Sequence, residues 1–118
     1  MLQSKDLLSS PVWIHLGVTD MRSGMDRLSV KVREETSCDV LSGGLYVFLS
    51  RCRRRMKILY WDEDGYALWQ KRLEAGVFRV ERRSGYEAIT GVDLKLLLSG
   101  MDLSRIQLRK SAENGLFS

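Results

Sequence analysis

Between Arg51 and Lys57 the chain places five cations in seven residues: Arg51, Arg53, Arg54, Arg55 and Lys57. A guanidinium is planar, permanently charged and able to hold two phosphate oxygens at once, so a run of arginines suits a phosphate backbone. Such contacts give salt-sensitive affinity that does not depend on base sequence. The same run can also be a solvated hairpin tip. Tyr60, Trp61, Tyr66 and Trp69 follow, and Lys71 with Arg72 extends the positive charge. Aromatic faces beside cations can stack bases, as in single-strand binders, although strand aromatics more often fill a core. Arg22 falls near the start of an expected helix, where a cation opposes the macrodipole. That local cost points to a use on DNA or a partner carboxylate, beside the plainer reading as a surface arginine.

Other chemistries find less support. Asp62, Glu63 and Asp64 form the one tight acidic cluster. A magnesium-dependent nuclease needs such carboxylates, but Asp64 before Gly65 is also what a turn requires, and no histidine is near in sequence. His15 is the single histidine, and Cys38 and Cys52 form no C-x-x-C pattern, so no zinc spacing exists. Ser23-Gly24 and Ser42-Gly43-Gly44 complete no phosphate-loop pattern. A nuclease therefore stands as the third reading, behind DNA binding and an adaptor role, and no metal or cofactor is expected. The two cysteines fit free thiols in a reducing cytoplasm. No apolar run approaches the ~20 residues of a membrane helix, and the N-terminus has no apolar signal core. A net charge of +4 favours an anionic partner.

The elements that must position these residues follow from periodicity. A length of 118 residues suits one domain. The expectation is a flexible leader over 1–11, a single α+β domain over 12–110 and a flexible tail over 111–118. Val12 to Leu16 reads as a strand stopped by Gly17. Thr19 or Asp20 can cap a helix whose apolar stripe is Met21, Met25, Leu28 and Val32. Leu45–Leu49 and Met56–Trp61 are rich in strand formers, with the arginines at a hairpin tip between them. Asp64-Gly65 signals a two-residue hairpin loop, which makes Tyr66–Arg72 a third strand. The stretch 67–75 before Gly76 also reads as a short helix, and the turn and aromatics favour the strand. Val77–Val80 is the next strand, and Glu81–Gly85 is polar and turn-like. Thr90 and Asp93 have capping-box spacing ahead of a helix carrying Leu94, Leu97 and Leu98 and ending at Gly100. Met101–Lys110 adds Arg105, Arg109 and Lys110. The fold class is α+β, a small antiparallel sheet of hairpins packed by two or three helices.

Three blocks of this sequence also carry a family likeness. They are Trp13-Ile14-His15-Leu16-Gly17-Val18-Thr19-Asp20-Met21-Arg22-Ser23-Gly24, Ser42-Gly43-Gly44-Leu45-Tyr46-Val47-Phe48, and the stretch from Lys57-Ile58-Leu59-Tyr60-Trp61-Asp62 through Leu68-Trp69 and Lys71-Arg72-Leu73-Glu74 to Phe78. In collinear order over roughly residues 12–80 they resemble the TnpB (Orf2-like) accessory protein of insertion sequence family sixty-six. The chain departs from that pattern at Val40 and after Phe78, where the family tends to carry proline. The resemblance implies a small bacterial accessory protein that acts with a separate DDE transposase and has no catalytic residues of its own. DNA is an expected partner, through Arg51, Arg53, Arg54, Arg55, Lys57, Lys71, Arg72 and Arg22, and the transposase is another. The alternative is an adaptor of the transposase that touches DNA little. Oligomeric state is left open.

Overall fold

The computed structural model describes residues 9–100 and residue 102. The expected leader up to residue 8, the stretch 101–110 apart from residue 102, and the tail lie outside the described residues. Among the described residues five strands and two α-helices follow one another, with a short 3-10 turn at Val40–Ser42: β1 (Val12–His15), α1 (Met25–Glu35), β2 (Leu45–Leu49), β3 (Arg55–Asp62), β4 (Gly65–Arg72), β5 (Tyr86–Ile89) and α2 (Gly91–Leu98). The strands form one sheet in the order β4-β3-β2-β1-β5. The fold is therefore α+β, as the patterning requires.

The sheet is mixed rather than wholly antiparallel. β1 and β2 run parallel, with Val12 opposite Leu45 and Ile14 opposite Val47. The other three pairings are antiparallel. The reason lies between β1 and β2: α1 carries the chain back to the end where β1 began, so β2 enters in the same direction. At that entry Leu45 N–H donates to Pro11 O, 2.9 Å away. Gly44 just before it has φ +95°, and a Cβ there would stand 3.3 Å from the same carbonyl. Glycine is needed at that close approach.

Alternation along the strands separates two cores. On one face Val12, Ile14, Val47, Leu49, Met56 and Ile58 meet Leu94 and Leu97 of α2. On the other, Tyr46, Phe48 and Leu59 meet Leu28 and Val32 of α1. β2 lies in the middle and is buried at all of its positions. α2 starts with the expected box: Asp93 N–H donates to Thr90 Oγ1, and Thr90 N–H donates to the Asp93 carboxylate. The segment 67–75 is strand as far as Arg72, which resolves the two readings in favour of the turn and the aromatics.

Several boundaries differ from expectation. α1 begins at Met25 with Gly24 as an uncapped N-terminal residue. Thr19 is occupied elsewhere, 3.2 Å from His15 Nδ1, and Asp20 accepts from Arg22. Neither side chain is left to cap a helix. The hairpin loop is Glu63-Asp64, because Asp62 pairs with Gly65. Glu63 takes φ +54° there, and Asp64 N–H reaches Asp62 O across it at 2.5 Å. Val77–Val80 is not a strand. Its Phe78 is buried in the α2-side core, and Phe78 N–H donates to Arg53 O, 2.7 Å away. That apolar run plugs the open end of the sheet instead of pairing. The strand on this side is β5, whose alternation of Tyr86 and Ala88 with Glu87 is too short to be read from sequence.

Candidate nucleic-acid interface

The cation run does not behave as one patch. Ser50–Arg55 is a tight turn in which Arg53 N–H donates to Ser50 O and Ser50 N–H to Arg55 O. Arg53 adopts φ +61°, and its side chain is only 4% exposed. Arg53 Nη2 donates to Leu16 O at 2.5 Å. Leu16 is the first residue past β1, so the guanidinium holds a carbonyl at the sheet's end. Among the described residues Arg53 Nε and Nη1 find no partner. Burial, and then the charge of Arg82, push this guanidinium down to about 10, so it is still charged at neutral pH.

Lys57 is also buried. Its Nζ donates to Met21 O at 2.7 Å and to Ser23 O at 2.8 Å. This fixes the loop before α1 onto the sheet. Arg53 and Lys57 therefore do not present their charges to solvent, which corrects their expected role as phosphate contacts. A buried, hydrogen-bonded donor cannot turn outward without orphaning the carbonyls it serves.

Arg51, Arg54, Arg55, Lys71 and Arg72 are exposed. The β3–β4 register places Arg55 directly opposite Arg72, with Met56 opposite Lys71 and Lys57 opposite Gln70. Around them lies a concavity of about 240 Å³ lined by Met21, Arg55, Met56, Lys57, Gln70, Lys71 and Arg72. That lining holds four cations and no acid. Arg72 Nη2 reaches Glu74 at 3.1 Å, a pair exposed to solvent and weak for that reason. Arg82, missed in the sequence because it sits in a polar turn, donates to Arg51 O at 2.8 Å. This brings a further exposed cation to the same end of the sheet. Its one signal in the sequence is the pair Arg82-Arg83, and Arg83 itself is drawn to Glu81 and Glu87.

Arg22 lies ahead of α1, so the macrodipole argument does not apply to it. Its side chain is 91% exposed while pairing with Asp20 at 2.7 Å. These hydrogen bonds hold the Asp20 carboxyl well below the usual carboxylate range. The aromatics divide between the two cores. Tyr60 and Trp69 pack against the α2-side core; Trp61 and Tyr66 pack against the other and meet each other edge to face. They are half-buried platforms, shaped first by packing.

The acidic residues Asp62, Glu63 and Asp64 stand at the opposite end of the hairpin and are exposed. Among the described residues no group of three His, Cys, Asp or Glu is arranged to hold a metal ion. His15 is buried, with Nε2 3.7 Å from Glu35. Burial, and then Lys31, lower its pKa against the pull of Glu35. Glu35 accepts from Tyr86 at 2.8 Å and Lys31 at 2.9 Å; burial raises its pKa, but these donors bring it below the ordinary value. Cys38 and Cys52 are both free thiols. Among the described residues no helix is long and apolar enough to cross a membrane.

Comparison with known proteins adds a family. The family described as IS66 Orf2 like protein matches residues 10–108. The uncharacterized protein y4hO of Sinorhizobium fredii is 39% identical over 92 residues, covering 77% of this chain and 80% of that protein. The uncharacterized protein y4jC of the same bacterium is 30% identical over 89 residues, covering 75% of this chain and 76% of that protein. No solved structure matches.

Proposed function

We propose that this chain, which belongs to the IS66 Orf2 like protein family, is a non-catalytic accessory of transposition that binds DNA and assists a separate transposase. The contacts are phosphate contacts, made by Arg51, Arg54 and Arg55 with Arg82 beside them, flanked by Lys71 and Arg72. Arg22 is an outlying contact that must first leave Asp20. One observation carries the reading: Arg55 and Arg72 face each other across adjacent strands over a concavity that Lys71 also lines and that holds no acid. Like charges directly opposite on a sheet are unfavourable. A phosphate placed between them removes that repulsion and gains two charge-assisted hydrogen bonds.

The experiment is a titration of labelled duplex DNA at several salt concentrations. Each phosphate neutralised by the protein contributes about 0.9 to the slope of log affinity against log salt. A slope of about −3 or steeper supports phosphate binding by the exposed arginines. No binding at low salt overturns it. The second reading is an adaptor that docks on the transposase. Half-buried Tyr66 favours it: it lines a concavity at the start of α1 with Met25, which is 41% exposed, and stacks edge to face on Trp61. Capture of the transposase from nuclease-treated extract, with no DNA binding by the purified chain, would select the adaptor.

A further inference from the structure

The two outer strands of the sheet are finished differently. β5 is four residues long, and its Glu87 is drawn to Arg83. A short, charged edge resists pairing with another chain. β4 is eight residues long, and Tyr66-Ala67-Leu68-Trp69-Gln70 carries no charge. Among the described residues no strand pairs with its outer side. The phase of its hydrogen bonds is fixed by Leu73 N–H, which donates to Arg54 O at 2.8 Å. In an antiparallel ladder the bonded positions alternate, so odd-numbered residues of β4 bond inward to β3. Tyr66, Leu68, Gln70 and Arg72 turn their N–H and C=O groups outward.

Charge along this hairpin is self-complementary. Lys71 and Arg72 mark one end, and Glu63 and Asp64 mark the other. We propose that the outer edge of β4 is a self-association surface on which a second copy of this chain pairs antiparallel, centred on Leu68. That arrangement joins the outward groups of residue 66 to those of residue 70 and sets Leu68 on Leu68. It places Trp69 against Ala67 and brings Arg72 to Asp64 of the second copy. A parallel pairing would set cations on cations. The inference does not need DNA binding, since Arg51, Arg54 and Arg82 lie outside β4. In the dimer Lys71 and Arg72 are shared between phosphate and the second copy's turn.

The test is light scattering after gel filtration, from low micromolar to ~100 μM. The wild-type mass should rise with concentration from 13.6 kDa towards twice that value. Gln70→Pro removes only an outward N–H, and proline is tolerated on edge strands. It should remain at the monomer mass with an unchanged circular dichroism spectrum. The double variants K71E/R72E and E63K/D64K should each stay monomeric alone. Mixed in equal amounts they should associate, because both contacts of the two-fold then join opposite charges. DNA binding by Gln70→Pro is read separately, so failure of the dimer and failure of the DNA reading are distinct. A wild-type chain that is monomeric throughout overturns the proposal. So does a dimer that survives Gln70→Pro, or a mixture that does not associate.

Discussion

The β3–β4 hairpin carries opposite charge at its two ends, and the ends are built differently. At the open end Arg53 and Lys57 are buried and spent on the carbonyls of Leu16, Met21 and Ser23. Arg51, Arg54 and Arg55, a residue or two away, are exposed. At the turn end Asp62, Glu63 and Asp64 are all exposed, and what shapes them is a backbone hydrogen bond across Glu63. A charge run in a sequence is therefore not a count of available charges. At the open end orphan carbonyls from other segments claim some cations. At the turn end the loop is set by its own backbone hydrogen bond, and Glu63 and Asp64 stand exposed.

DNA affinity should separate the two ends most visibly. Replacing Arg51, Arg54 and Arg55 by Ala should weaken duplex binding more than tenfold at low salt and reduce the salt slope by about 3, while Asp64→Asn should not weaken it. Arg82→Ala should give a smaller loss, with a slope change of about 1. Stability should show the reverse ranking. Lys57→Met keeps the aliphatic packing but orphans the carbonyls of Met21 and Ser23, and should cost about 2–3 kcal/mol in urea unfolding. Arg54→Ala, by contrast, should stay within about 0.5 kcal/mol of wild type. Equal destabilisation by both would remove the distinction between structural and solvent-facing cations. At the turn end Glu63→Gly should stabilise by about 0.5–1 kcal/mol, because φ +54° is strained for a side chain and free for glycine.

The smallest effect concerns pH. His15 is buried, and its pKa is lowered from the ordinary 6.5, by burial first. The unfolded chain therefore binds its proton more readily than the folded one. Stability should be full above pH 6.5 and decline as pH falls below it. Glu35, also held below its ordinary value, adds a second decline at more acid pH as it is protonated. Thermal melts of wild type and His15→Asn across pH 5–8 check this, and the variant should flatten the upper part of the curve.

Much of the fold was legible because its signals are local. Leu45–Leu49 and Met56–Trp61 announce strands by composition, and Thr90 with Asp93 announces a helix start by spacing. The parallel β1–β2 pair was not legible, because strand direction follows from where α1 delivers the chain. Val77–Val80 misleads for a related reason: an apolar alternation can plug a sheet as well as join one. The site was half legible. Arg51, Arg54, Arg55, Lys71 and Arg72 stand out in sequence and are exposed in the fold. Arg53 and Lys57 carry the same signal, and only the carbonyls of residues more than 30 positions away decide their different fate. Arg82 joins the site through a turn whose path the sequence does not mark.

The most direct test is one fluorescence-anisotropy titration of labelled duplex DNA with three proteins of equal stability: wild type, the Arg51/Arg54/Arg55→Ala variant, and Asp64→Asn. The account predicts salt-sensitive binding by wild type, its loss in the arginine variant, and unchanged or tighter binding by Asp64→Asn. Equal affinity for the arginine variant and wild type would contradict it.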